Sequence, residues 1–172
     1  MDFGLSNEQE MIIDSVKNFV VQELYPHEDE VEKSNHIDES LVESIKKKAI
    51  QLGLYATNMP EEYGGGGLDT LTLCLLGKEL GKANFGLQYI VARPSNILMA
   101  CKGDQIDKYL IPTIRGEKVD CLAMTEPNAG SDVRSMQCRA EKDGDFFVIN
   151  GSKHFISHAD MADFVILFAA SG

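Results

Sequence analysis

Apolar residues recur at helical spacing over the first two-thirds of the chain and alternate with polar ones over much of the rest. Ser6-Asn7-Glu8-Gln9 opens the first helix as a capping box: the serine hydroxyl takes an orphan amide and the glutamine reaches back. Ile12, Val16, Phe19, Val20 and Leu24 then share one face, and Tyr25-Pro26 predicts the stop. A second helix opens around Asp38 to Ser40, with Leu41, Ile45, Ala49 and Leu52 as its stripe. Lys46 to Lys48 lie towards its negative end, and Gly53 suits its C-cap. After the break at Gly64 to Gly67, Asp69 or Thr70 starts a third helix through Leu76 and Leu80 to Gly81. Residues 84–101 predict a fourth, kinked or restarted at Pro94. Residues 104–115 predict a fifth, with Ile106, Tyr109, Leu110 and Ile114 inward.

Near Gly116 the period changes from 3.6 to 2. Val119, Cys121 and Ala123 alternate with Lys118, Asp120 and Leu122, and Met136, Cys138 and Ala140 with Gln137, Arg139 and Glu141. Asp143-Gly144 and Asn150-Gly151 read as hairpin turns, because both dipeptides tolerate positive φ. Asp145 to Ile149, Lys153 to Ser157 and Phe164 to Ala169 supply further strands. The pattern therefore predicts an α+β protein. An all-helical amino-terminal domain, residues 1–117, is followed by the start of an antiparallel β domain, residues 118–172.

Composition narrows the function. Of 172 residues 44% are hydrophobic, enough for a core, and no apolar run approaches the ~18 residues of a membrane span. Twenty-seven acidic residues against 16 basic ones give a net charge of −11, which repels nucleic acid and anionic membrane. Cys74, Cys101, Cys121 and Cys138 lack disulfide or zinc-ligand spacing and read as buried, reduced thiols. With no secretory pattern at Met1-Asp2-Phe3-Gly4, the expected location is cytoplasmic. The Gly64 to Gly67 run follows no strand and precedes no Lys-Ser or Lys-Thr, so it reads as an interhelical turn, not a phosphate loop. His154 and His158 are four apart but in strand-and-turn context, and no metal site is expected.

The segment that carries chemistry is Leu122 to Asp132. A strand delivers Met124 and Thr125, Pro127 forces a turn, and a loop of small residues exposes amides and hydroxyls to a planar or phosphorylated ligand. Met124-Thr125-Glu126-Pro127-Asn128-Ala129-Gly130-Ser131-Asp132-Val133 resembles the T-E-P-x-A-G-S-D signature of the flavin-dependent acyl-CoA dehydrogenases. Pro60-Glu61-Glu62-Tyr63-Gly64-Gly65 is similar to that family's interhelical turn. Asn150-Gly151-Ser152-Lys153-His154-Phe155-Ile156-Ser157 is similar to its N-G-x-K-x-W/F-I-T/S segment, and Leu5-Ser6-Asn7-Glu8-Gln9-Glu10 to its opening.

The resemblance implies an amino-terminal helical domain, part of a middle β domain and FAD as cofactor. It implies that Leu122, Met124 and Thr125 face the isoalloxazine through backbone groups and the threonine hydroxyl. Phe155 stands against the ring beside Ile156, and Ser157 donates towards N5 and O4. Gly130 and Ser131 approach the pyrophosphate and CoA, with Ser131 the substrate contact. The implied reaction is α,β-dehydrogenation of an acyl-CoA thioester, a proton leaving C2 while hydride passes from C3 to the flavin. Fixed donors around the ring favour it because negative charge develops there. Electrons then pass to an electron-transfer flavoprotein, and the full-length protein is a dimer or tetramer.

Ser157 for the commoner Thr, Phe155 for Trp and Asn128 for Gly are small departures from the family pattern. The family's catalytic carboxylate lies in a carboxy-terminal helical domain, so the base is expected beyond Gly172 and the chain reads as a truncated portion with an unfinished sheet. Glu126 is expected to be structural. Gln88, Tyr89 and Arg93-Pro94 near the implied acyl pocket point to a short or functionalised acyl group. An acyl-CoA oxidase of the same fold, or a non-catalytic binding or assembly subunit, are the alternative functions.

Overall fold

A computed structural model of the chain describes residues 4–171; Met1 to Phe3 and Gly172, on which the readings of the two ends rest, lie outside them. The chain divides into two compact units between Glu117 and Lys118.

The first unit is helical. Helix α1 (Asn7–Phe19) begins at Ser6 with both arms of the capping box closed. It does not stop at Tyr25-Pro26. The backbone widens into a π-helical turn over Val20–Leu24, tightens into a 3₁₀ turn over Tyr25–His27 and continues as α2 (Glu28–Ser34). Pro26 sits in the first turn of the new segment, where a missing N–H costs nothing, and Glu28, Asp29 and Glu30 suit the positive end that follows.

Helix α3 (Glu39–Gln51) buries Ile45 and Ala49. Leu52 was expected on that stripe but is 56% exposed, because the helix has ended and Leu54 takes the inward place. Helix α4 (Thr70–Leu80) is capped by the Asp69 carboxylate and packs on α1, while α5 (Phe85–Val91) packs on α3. The predicted fourth helix resolves into α5 and a 3₁₀ segment, Asn96–Ala100, on either side of Pro94. A π-helical segment, Ile106–Leu110, leads into α6 (Ile111–Ile114), with Leu110 and Ile114 buried and Ile106 and Tyr109 half-buried. The core gathers Val16, Phe19, Leu24, Ile45, Met59, Leu80, Leu87, Val91 and Leu110.

The glycine run is a close-packed turn. Amides of Gly64, Gly65, Gly66 and Gly67 donate to the carbonyls of Glu61, Pro60, Ala56 and Met59, leaving none for a phosphate. A Cβ on Gly66 would stand 2.9 Å from the Thr57 Cα, so the two backbones can meet only with glycine there.

The second unit holds β1 (Asp120–Ala123), β2 (Arg139–Asp143), β3 (Phe146–Asn150), β4 (Phe164–Leu167) and β5 (Ala170–Ser171). Its strand pairing is mixed and not uniformly antiparallel. The β2–β3 hairpin turns at Gly144-Asp145, but β1 pairs parallel with β4 and β2 parallel with β5. Such parallel pairs need long connections, and the excursion from 124 to 163 supplies one. Asn150-Gly151 makes no hairpin: Gly151 (φ 149) lies against Cys138, and the chain runs on irregularly. Lys153 to Ser157, expected as a strand, is a loop whose Phe155 has φ 55, outside the strand region.

Cys121, Ala123, Met136 and Cys138 are buried as the alternation requires. Asp120, expected outward, is buried too, whereas β3 is exposed along its whole length. Of the cysteines, Cys74 is exposed and Cys101 half-buried, so only Cys121 and Cys138 are enclosed; none of the four forms a disulfide among the described residues. Among the described residues no helix is long and apolar enough to cross a membrane.

Candidate flavin-binding site

Strand β1 carries Leu122 half-buried opposite Ile166, then releases the chain at Met124 and Thr125. Met124 is half-buried and Thr125 exposed. Glu126 turns inward and is almost completely buried. Its carboxylate accepts from the Gln137 amide at 2.6 Å, the Cys138 amide at 3.0 Å and the Lys153 ammonium at 2.8 Å. The lysine bond, the two amides and the cation's charge together hold the carboxyl at about 2, against an ordinary value of 4.5, although burial opposes them.

Lys153 is half-buried as a residue but its side chain is enclosed, 7% exposed against 3% for Glu126, and it also donates to the Met124 carbonyl at 3.0 Å. The next residue, His154, donates its amide to the Thr125 carbonyl at 3.1 Å. These bonds lay the 153–155 segment alongside 124–126. Phe155 emerges 86% exposed, in a left-handed backbone conformation that costs a β-carbon residue about 1 kcal/mol, with its ring centre 4.2 Å from that of His154. Ile156 is half-buried and Ser157 exposed.

On the other side of Glu126, a narrow turn closes with the Glu126 amide on the Ala129 carbonyl at 3.5 Å. Ala129 is buried, while Gly130 and Ser131 are exposed, and nothing lies within 4 Å of where a Gly130 Cβ would stand. Asp132 then accepts from the Arg134 amide at 3.2 Å and ends the loop in a 3₁₀ turn, Val133–Ser135.

Bond by bond, the structure joins the Met124-Thr125 end of β1 to the segment bearing Phe155 and Ser157, with Gly130 and Ser131 on the adjoining turn. Among the described residues, the amides and hydroxyls of Thr125, Ser131 and Ser157 and the amide of Gly130 have no acceptor. Unclaimed donors beside an exposed aromatic face fit a flat, anionic, hydrogen-bond-accepting ligand such as FAD. Glu126, by contrast, is poorly suited to be a general base: three donors already hold its oxygens, and a carboxyl held near 2 has little proton affinity. Sequence reasoning named Lys153 only as part of a motif. Its partner is 27 residues away, and the only sign of the pairing was one buried-type acid in one motif and one base in the other.

The sequence matches the family models of the acyl-CoA dehydrogenase N-terminal domain over residues 6–117 and of the acyl-CoA dehydrogenase middle domain over residues 121–172. It is 37% identical to a Bacillus subtilis protein named Probable acyl-CoA dehydrogenase YngJ, covering all of this chain and 46% of that one. A solved structure described as the electron transferring flavoprotein of Acidaminococcus fermentans superposes with a TM-score of 0.83 at 34% identity, over 98% of this chain and 45% of that one. An acyl-CoA dehydrogenase from Bacillus anthracis, solved in complex with FAD, gives 0.82 at 29%, over 97% of this chain and 30% of that one. The chain thus has an α+β fold, a helical unit followed by a small β unit. It belongs to the acyl-CoA dehydrogenase family, and it spans less than half the length of the curated relative it matches.

Proposed function

We propose that this chain forms the helical domain and part of the flavin wall of an FAD-dependent acyl-CoA dehydrogenase that passes electrons to an electron-transfer flavoprotein. The observation that carries the reading is the unclaimed donor set of Thr125, Gly130, Ser131 and Ser157 beside the exposed Phe155 ring. When bound, FAD supplies the two-electron acceptor that protein side chains lack. In this reading Leu122, Met124 and Thr125 line one edge of the ring system, and Phe155 and Ile156 cover a face. Ser157 donates to the ring, fixing its plane and stabilising charge that develops on it. Gly130 lets the backbone approach a phosphate closely, and Ser131 offers its hydroxyl to the CoA thioester. The reaction also needs a base for the C2 proton, which Glu126 cannot supply.

The acyl group is short or functionalised. Supporting this, Arg93 and Tyr89 bring a guanidinium within 4.9 Å of an aromatic ring beside α5, more polar than a long-chain tunnel would need. The same proposal places the protein in the cytoplasm as a homo-oligomer.

The test is anaerobic titration of the purified yellow protein with butyryl-, isovaleryl-, glutaryl- and palmitoyl-CoA while flavin absorbance is followed. Bleaching by one of the first three supports the function. Failure to retain flavin, or no bleaching with any thioester, overturns it; preference for palmitoyl-CoA overturns the acyl assignment alone. Rapid reoxidation by air would make the protein an oxidase.

A further inference from the structure

The Lys153 ammonium is bonded to a particular peptide group. Its acceptor, the Met124 carbonyl, belongs to the same planar unit as the Thr125 N–H. Thr125 is exposed, and its N–H has no acceptor among the described residues. A cation on a peptide oxygen draws electron density from nitrogen, so the hydrogen at the other end becomes a stronger donor. The cation is itself held in place: Glu126 binds it at 2.8 Å and is anchored by two backbone amides. Both charged side chains are nearly enclosed, so water screens little of the effect. An ion pair needed only to tie two segments together would work equally well with the ammonium on the carboxylate alone. The additional bond to the Met124 carbonyl is what couples it to the site.

We infer that Lys153 is a positioning residue that polarises the Met124–Thr125 peptide, strengthening the Thr125 N–H as a donor to the bound flavin. The inference rests on the proposed flavin reading for its consequence, but the polarisation can be measured without any flavin.

The experiment compares Glu126→Gln with the double variant Glu126→Gln/Lys153→Met in the full-length protein. Both lose the carboxylate, and only the second loses the cation. Removing both charges in the double variant avoids stranding one in the interior, and in Glu126→Gln the lysine keeps the Met124 carbonyl as a partner. In flavin-free protein, the Thr125 amide ¹H and ¹⁵N resonances should stay near their wild-type positions in Glu126→Gln and move upfield in the double variant. In flavin-loaded protein, the reduction potential should fall in the double variant alone, because a weaker donor stabilises the more negative reduced form less. The FAD dissociation constant should rise roughly three- to tenfold in the same variant. Equal amide shifts in the two variants overturn the inference and leave Lys153 a structural tie. If the wild type takes up no flavin while the amide shifts separate as expected, the flavin reading fails and the polarisation stands.

Discussion

Gly151→Ala tests whether close backbone contact holds the 151–157 loop in place. At Gly151 φ is 149, a conformation that L residues rarely adopt, and forcing one into it costs about 1–3 kcal/mol. The new methyl would stand 2.6 Å from the Cys138 Cα, 2.8 Å from its Cβ and 2.9 Å from its Sγ. A main-chain atom cannot swing aside, so the overlap costs about 1–3 kcal/mol more. One local backbone shift relieves part of both, and the expected loss is about 2–4 kcal/mol. Gly144→Ala is the control: φ is 61, but nothing lies within 4 Å of its Cβ, so only the conformational cost of about 1 kcal/mol applies. Urea unfolding followed by far-ultraviolet circular dichroism measures both, since the chain has no tryptophan. Amide exchange of the β2–β3 ladder reads the β unit on its own. The shift should also lengthen the bonds from Lys153 to Met124 and Glu126, so Gly151→Ala loses flavin where Gly144→Ala keeps it. Equal destabilisation by the two substitutions would refute the reasoning.

Other expectations follow from single contacts. Phe155→Gly should stabilise the protein by about 1 kcal/mol by releasing a left-handed aromatic residue, yet weaken flavin binding; thermal unfolding and flavin titration should move in opposite senses. Ser6→Ala removes the bond to the Gln9 amide and should cost about 1 kcal/mol in thermal unfolding. Cys74 should react with a thiol reagent in native protein, whereas Cys121 and Cys138 should react only after unfolding; burial pushes the Cys101 thiol up and slows it. The Glu126 carboxyl is depressed in the folded state, so its contribution to stability is complete above about 4.5. That contribution should drain away as pH falls towards about 2, and Glu126→Gln should lose less stability than the wild type across this window, the remainder coming from Asp69 and Glu79, whose hydrogen bonds also hold their carboxyls low.

The accuracy of the sequence reading follows the range of the forces involved. Caps at Ser6 and Asp69 and the helical faces of α1, α3 and α4 depend on residues within a few positions of one another and were legible, as was the first hairpin, whose turn was expected at Asp143-Gly144 and falls one residue later at Gly144-Asp145. Recognition of the T-E-P and N-G-x-K segments likewise needed only their local order, and it led to the family. Where a local signal competed with distant partners, the local rule failed. Pro26 was read as a stop, but a π turn before it and a fresh helical turn after it absorb the missing donor. Asn150-Gly151 carries hairpin chemistry, yet its glycine is used for close approach to Cys138. Asp120 alternates as an outward residue and is buried.

By itself, then, the sequence determined the α+β class, the helix starts and the residues available for chemistry, because period, cap and turn are properties of neighbours. Only the tertiary structure decided that β1 and β4 run parallel, that residues 153–157 form a loop, and that Lys153 lies on both Glu126 and the Met124 carbonyl. Those outcomes depend on which distant groups share the interior. A buried charge takes whichever opposite charge and backbone dipole the fold brings within reach, and no local pattern names them.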